Sequence, residues 1–173
     1  MSTHKQFGIS DCKGFTLVEV MVASAISTMV LLSLVTFFIS TYSYWNGVNL
    51  RMEADSDANI AMSRMVYGMG DRLGLRTAKE VNKTNDGNGG WTVTYTTGGD
   101  TPQANSFVYS SAEQSIIFNP GDDEQIAGRD IVSADFTVDN KLLTLTLCVE
   151  KEQGKLKASR EINTKVHFRN TKD

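Results

Sequence analysis

From Phe15 to Ile39 the chain runs without a proline or a glycine and with one charge, Glu19. Such a run is read as a membrane-spanning helix: at ~1.5 Å per residue it reaches roughly 37 Å, against a hydrocarbon core of about 30 Å. Ser24, Ser27, Thr28, Ser33 and Thr36 are small polar residues that such a helix carries by bonding to its own backbone. Tyr42, Tyr44 and Trp45 follow at once. Amphipathic aromatics at the end of an apolar run mark a membrane–water interface. Lys5 and Lys13 precede the span and Arg51 is the first basic residue after it, which predicts a cytoplasmic N-terminus and an exported C-terminal part. No small-residue cleavage site follows the apolar core, so the run reads as a retained anchor rather than a discarded secretory signal.

Glu19 is what anchoring alone does not explain, because a carboxylate inside an apolar span is costly unless paired. A cut between Gly14 and Phe15 would supply a partner. The new α-amine on Phe15 would be largely cationic at neutral pH, and it would stand four residues from Glu19 on one helical face. The pair could form within a chain or between neighbouring chains packed side by side.

The sequence Gly14-Phe15-Thr16-Leu17-Val18-Glu19 resembles the class III signal of type IV pilins and type II secretion pseudopilins. That pattern is a short basic leader ending in Gly, then Phe, apolar residues with Glu fifth, and a long apolar helix. The resemblance implies cleavage after Gly14 and N-methylation of Phe15 by a prepilin peptidase, with Glu19 guiding insertion into a filament. It also implies other pilin or pseudopilin subunits, an inner-membrane assembly platform and membrane lipid as partners. The implied location is the inner membrane, crossed once, with the C-terminal domain periplasmic until the subunit is drawn into a filament. Many major pilins carry a Pro in the middle of this helix, where this chain has Thr36.

Four segments are expected: a leader over 1–14, a transmembrane and filament-core helix over 15–39, an amphipathic continuation over 40–78, and an exported β-sheet domain over 79–173. Ala54, Ala58, Ala61, Met62, Met65, Met69 and Leu73 recur with a period near 3.6, so the helix is expected to end between Met69 and Ala78. Gly47 is placed as a loosened juncture. Leu73-Gly74-Leu75-Arg76-Thr77-Ala78 resembles the helix exit of some minor pilins and J-type pseudopilins. Beyond it, strands are predicted over 91–96, 106–109, 115–119, 131–138, 142–149 and 161–168, with turns at Asp139-Asn140 and Gln153-Gly154. Leu143, Leu145, Leu147 and Val149 alternate with Thr144, Thr146 and Cys148, giving that strand one face to bury. The final Arg169-Asn170 resembles the closing strand of minor pilins. The fold class is therefore α+β and pilin-like: a long N-terminal helix packed on a meander of antiparallel strands.

Enzymatic chemistry finds little to build on. Once the leader is gone, Cys148 and His167 are the last of their kinds, too few for a Cys-His pair or a His-rich zinc site. Cys148 is expected to be buried and His167 to be a surface strand residue. The stretch Asn82 to Gly90 and the stretch Gly121-Asp122-Asp123-Glu124 lack the ligand spacing of a calcium loop and read as solvated turns, so no metal and no cofactor is expected. The net charge of −3 and scattered lysines offer no nucleic-acid footprint. The expectation is a minor, tip-associated assembly subunit rather than an enzyme. A type II secretion pseudopilin is the nearest alternative, and a membrane-tethered periplasmic binding domain that never polymerises is the more remote one.

Overall fold

The computed structural model describes residues 14–98, 102–119, 124–139 and 142–167. A single helix, α1, spans Leu17–Tyr67. The chain divides into two compact units, Met1–Tyr44 and Trp45–Asp173.

In the first unit, α1 is long and apolar enough to cross a membrane. Four of its hydroxyls are satisfied locally. Ser24 donates to the Met21 carbonyl and Thr28 to that of Ser24, each at 2.8 Å, while Ser33 and Thr36 donate to Met29 and Leu32 at 2.9 Å. The helix therefore presents almost purely hydrocarbon along its length, with Leu31, Leu32, Phe37 and Phe38 all exposed.

In the second unit, α1 continues through Gly47 and buries Leu50, Ala54, Ala58, Ala61, Met62, Met65 and Val66. The expected stripe is present as far as Met65. Its alanines bring neighbouring backbone close: a Cβ placed on Gly128 would stand 2.7 Å from that of Ala61. The helix ends at Tyr67, before the expected interval, because Gly68 takes φ +105° and leaves the helical region. The segment expected to be the last helical turns is instead a small hairpin of β1, Gly68–Met69, and β2, Arg72–Leu73, followed by a 3-10 turn at Leu75–Thr77. The Gly74 N–H closes this unit by bonding to the Tyr67 carbonyl at 3.1 Å. Leu73, placed on the buried stripe by its spacing, is exposed on β2.

Beyond this hairpin the described strands form two antiparallel sheets, each a meander in sequence order, rather than a single one. The larger contains β3 (Ala78–Asn85), β4 (Trp91–Thr97), β5 (Ala104–Ser110), β6 (Ser115–Phe118) and β7 (Gln125–Gly128) in sequence order. The smaller contains β8 (Ile131–Asp139), β9 (Leu142–Gln153) and β10 (Leu156–His167) in the order β10-β9-β8. All six predicted strands are present. Besides β1 and β2, two further strands are unpredicted, β3, whose end falls in the stretch from Asn82 expected to be a solvated turn, and β7. Both are amphipathic only weakly, since β3 buries Ala78 alone and β7 is four residues long. Gly154 takes φ +62° in the β9–β10 turn, as the Gln153-Gly154 signal predicts. Asp139 closes β8, while Asn140 and the Arg169-Asn170 pair lie outside the described residues.

One hydrophobic core joins both sheets to the second half of α1. Leu143, Leu145, Leu147 and Val149 are fully buried, as their alternation requires. Phe107 and Phe118 pack with ring centroids 4.8 Å apart, and Trp91 packs on Phe136 at 5.6 Å. The seam between the sheets is polar as well. Along β8, the carbonyls of Ile131, Ala134 and Phe136 accept from the Tyr109 hydroxyl at 3.3 Å, the Trp91 indole at 2.7 Å and the Lys83 ammonium at 3.0 Å. Three side chains thus occupy the edge of a strand that would otherwise be open to foreign pairing.

Candidate processing and assembly segment

Gly14, Phe15 and Thr16 precede α1 without regular structure, and all three are exposed. A Cβ on Gly14 would meet nothing within 4 Å, and Phe15 is 86 % exposed. The Gly14–Phe15 peptide bond is therefore non-helical, and among the described residues nothing crowds it.

Thr16 starts the helix as its N-cap. Its carbonyl accepts from Val20 N–H at 3.2 Å, and its Oγ1 accepts from Glu19 N–H at 3.3 Å. In return Glu19 Oε2 accepts from the Thr16 backbone N–H at 2.8 Å and from the Thr16 hydroxyl at 2.9 Å. This is a capping box, in which a Thr and a Glu three residues on satisfy each other's orphan groups. It gives the carboxylate neutral partners inside its own chain. Sequence reasoning paired Glu19 with a prospective amine on Phe15 and passed over Thr16. The Thr-x-x-Glu spacing that signals a capping box was nevertheless there to be read. Thr16 lies after the expected cut, so the box belongs to the mature chain.

Residues 9–35 match the prokaryotic N-terminal methylation motif. The methylation motif spans Gly14, Phe15, Thr16 and Glu19 together with most of the apolar run, and it supports a type IV pilin-like precursor. It implies processing by a prepilin peptidase and assembly with other pilins, and it points to a structural subunit. No curated protein and no solved structure matches the chain.

The remaining candidates lie elsewhere. Tyr42, Tyr44 and Trp45 are exposed on α1, 61 %, 75 % and 62 % accessible, consistent with interface anchors. Cys148 is not buried: it sits half-exposed on the outer face of β9, its thiol 3.2 Å from the Ser159 hydroxyl. The alternation that buries Leu147 and Val149 puts the residue between them on the other face, and this outweighs the general tendency of cysteine to be buried. His167 is exposed at the end of β10. Asp86 Oδ1 accepts from Asn88 N–H at 2.8 Å and Gly90 N–H at 2.9 Å, turn chemistry that fully uses that oxygen. Of the Gly121 to Glu124 stretch only Glu124 is described. Among the described residues no three His, Cys, Asp or Glu side chains converge to hold a metal ion.

Proposed function

We propose that the chain is a minor subunit of a type IV pilus, cut between Gly14 and Phe15, N-methylated on Phe15 by a prepilin peptidase and assembled through its apolar helix, with a place at the filament tip. The observation that carries this reading is the methylation motif over residues 9–35, with its Gly14–Phe15 bond exposed ahead of an apolar helix. Cleavage would put a cationic amine on Phe15, one helical turn from Glu19, whose carboxylate the capping box already orients. In a bundle of such helices, the carboxylate of one subunit can meet the amine of another in low dielectric and set their register.

The minor role rests on the unbroken helix through Thr36 and on Cys148 being the single cysteine after the cut, which leaves no pair to close a disulfide loop. The anchor would sit in the inner membrane, crossing once, with its N-terminus cytoplasmic and its domain periplasmic. The deciding experiment is intact mass and N-terminal sequencing of the protein extracted from its native host beside a peptidase-deficient strain. A chain beginning at Phe15 with one added methyl group, absent from the deficient strain, is expected. A chain beginning at Met1 in both strains would leave a tethered domain that never polymerises. Co-purification with a secretin and an exported substrate would assign the subunit to type II secretion instead.

A further inference from the structure

Most cations whose partners are described in the second unit are engaged. Arg64 donates to the carbonyls of Ile126 and Ala127, Lys151 bridges Asp57 and Asp130, Lys157 bridges Glu150 and Glu152, and Arg160 pairs with Asp55. Others, Arg51, Lys79, Arg129 and Lys155 among them, form no ion pair among the described residues, and one groove gathers two such cations beside a histidine. This groove of about 480 Å³ lies between the end of α1 and the end of β10, walled by Val66, Tyr67, Arg76, Lys165, Val166 and His167. Among the described residues no carboxylate lines it. Arg76 stands over the Tyr67 ring at 5.7 Å, and among the described residues neither it nor Lys165 forms an ion pair. Tyr67 remains 62 % exposed and offers an aromatic wall.

We propose that this groove docks an extended acidic segment of another protein chain. Carboxylates are the chemistry it fits: a guanidinium held against a ring presents its fork for bidentate bonding, with an ammonium and an imidazole beside it. The exposed Tyr67 ring suits an apolar side chain of an extended strand, over a floor formed by the buried Val66 and Val166. Among the described residues β10 pairs only with β9, so it is an edge strand whose main chain can extend the sheet to an incoming peptide. A nucleic acid fits less well. Phosphate binding draws on a long basic footprint, whereas these cations span one short groove on a chain of net charge −3.

The test uses the full-length uncut protein in detergent, so it does not depend on cleavage or filament incorporation, and its failure leaves the reading of the N-terminus untouched. The probe is a short fluorescent peptide of alternating glutamate and valine, with a glutamine-valine peptide and a single-stranded oligonucleotide as comparisons. Saturable binding of the acidic peptide is expected, weakened by added salt and reduced about tenfold by Arg76→Gln and by Lys165→Gln, the loss of one charge-assisted contact each. Lys155→Gln, in the β9–β10 turn, should leave it unchanged. Arg76 also packs over the Tyr67 ring, so thermal stability is measured for each variant. If Arg76→Gln fails to fold, Lys165→Gln and the salt dependence decide. Equal binding by the variants, absence of saturation, or tighter binding of the oligonucleotide would overturn the proposal. So would self-association of the peptide-free protein that Lys165→Gln abolishes, since the occupant would then be a second copy.

Discussion

Trp91 donates its indole N–H to the carbonyl of Ala134 at 2.7 Å, from the larger sheet to the edge of the smaller one, with its ring packed on Phe136. Both partners are nearly inaccessible, so the bond exchanges little with water and its loss would leave the Ala134 carbonyl buried without a partner. Trp91→Phe should destabilise the C-terminal domain by about 2 kcal/mol from the orphaned acceptor and further through lost packing. Chemical denaturation checks this; an unchanged midpoint would mean that water replaces the indole.

Gly68 and Gly70 lie in the same hairpin and should respond very differently to alanine. Gly68 has φ +105°, and a Cβ there would run into the Arg72 carbonyl and the Gly74 amide. Gly70 has φ +58° and open space around it. Gly68→Ala should cost about 3 kcal/mol and loosen the end of α1, whereas Gly70→Ala should cost about 1 kcal/mol. Thermal melts of the two variants side by side make the comparison, and equal losses would contradict it.

Alkaline pH should unfold the domain steeply. Burial pushes the Tyr95 and Tyr109 phenols up, and hydrogen bonds from Lys151 to Asp130 and then to Asp57 raise that ammonium. All three therefore hold their protons more tightly when folded. Their contribution is complete below the unfolded-state values, about pH 10, and is lost as pH rises through the folded ones. Tyr95→Phe should flatten this alkaline limb. It should also cost about 1 kcal/mol at neutral pH, because the Tyr95 hydroxyl donates to the Leu73 carbonyl at 2.8 Å. Denaturation midpoints across pH 8 to about 11 would measure both effects.

Glu19→Ala removes the carboxylate while leaving the C-terminal fold alone, since among the described residues Thr16 alone bonds to it. If Glu19 sets register in a filament, the variant should accumulate in the membrane at normal levels and be missing from sheared filaments. Recovery in filaments at the wild-type level would remove Glu19 from assembly.

Much of this protein was legible in one dimension because its signals are local. The apolar run from Phe15 to Ile39 announces itself by its lack of Pro, Gly and any charge but Glu19, and the methylation motif by residues along one short stretch. The leucine alternation of β9 and the stripe from Ala54 to Met65 are likewise periodicities of single elements. The tertiary structure decided what depends on meetings between distant residues. The sequence holds both Gly68 and Gly74, but only their contact turns the end of α1 into a hairpin instead of another helical turn. Likewise, no periodicity in the strand-forming half foretells two sheets, because the division follows from Asp130 turning the chain at φ +57° and from Trp91, Tyr109 and Lys83 reaching carbonyls on β8. Those bonds join residues far apart in the chain, and which of them form is settled by how the core packs.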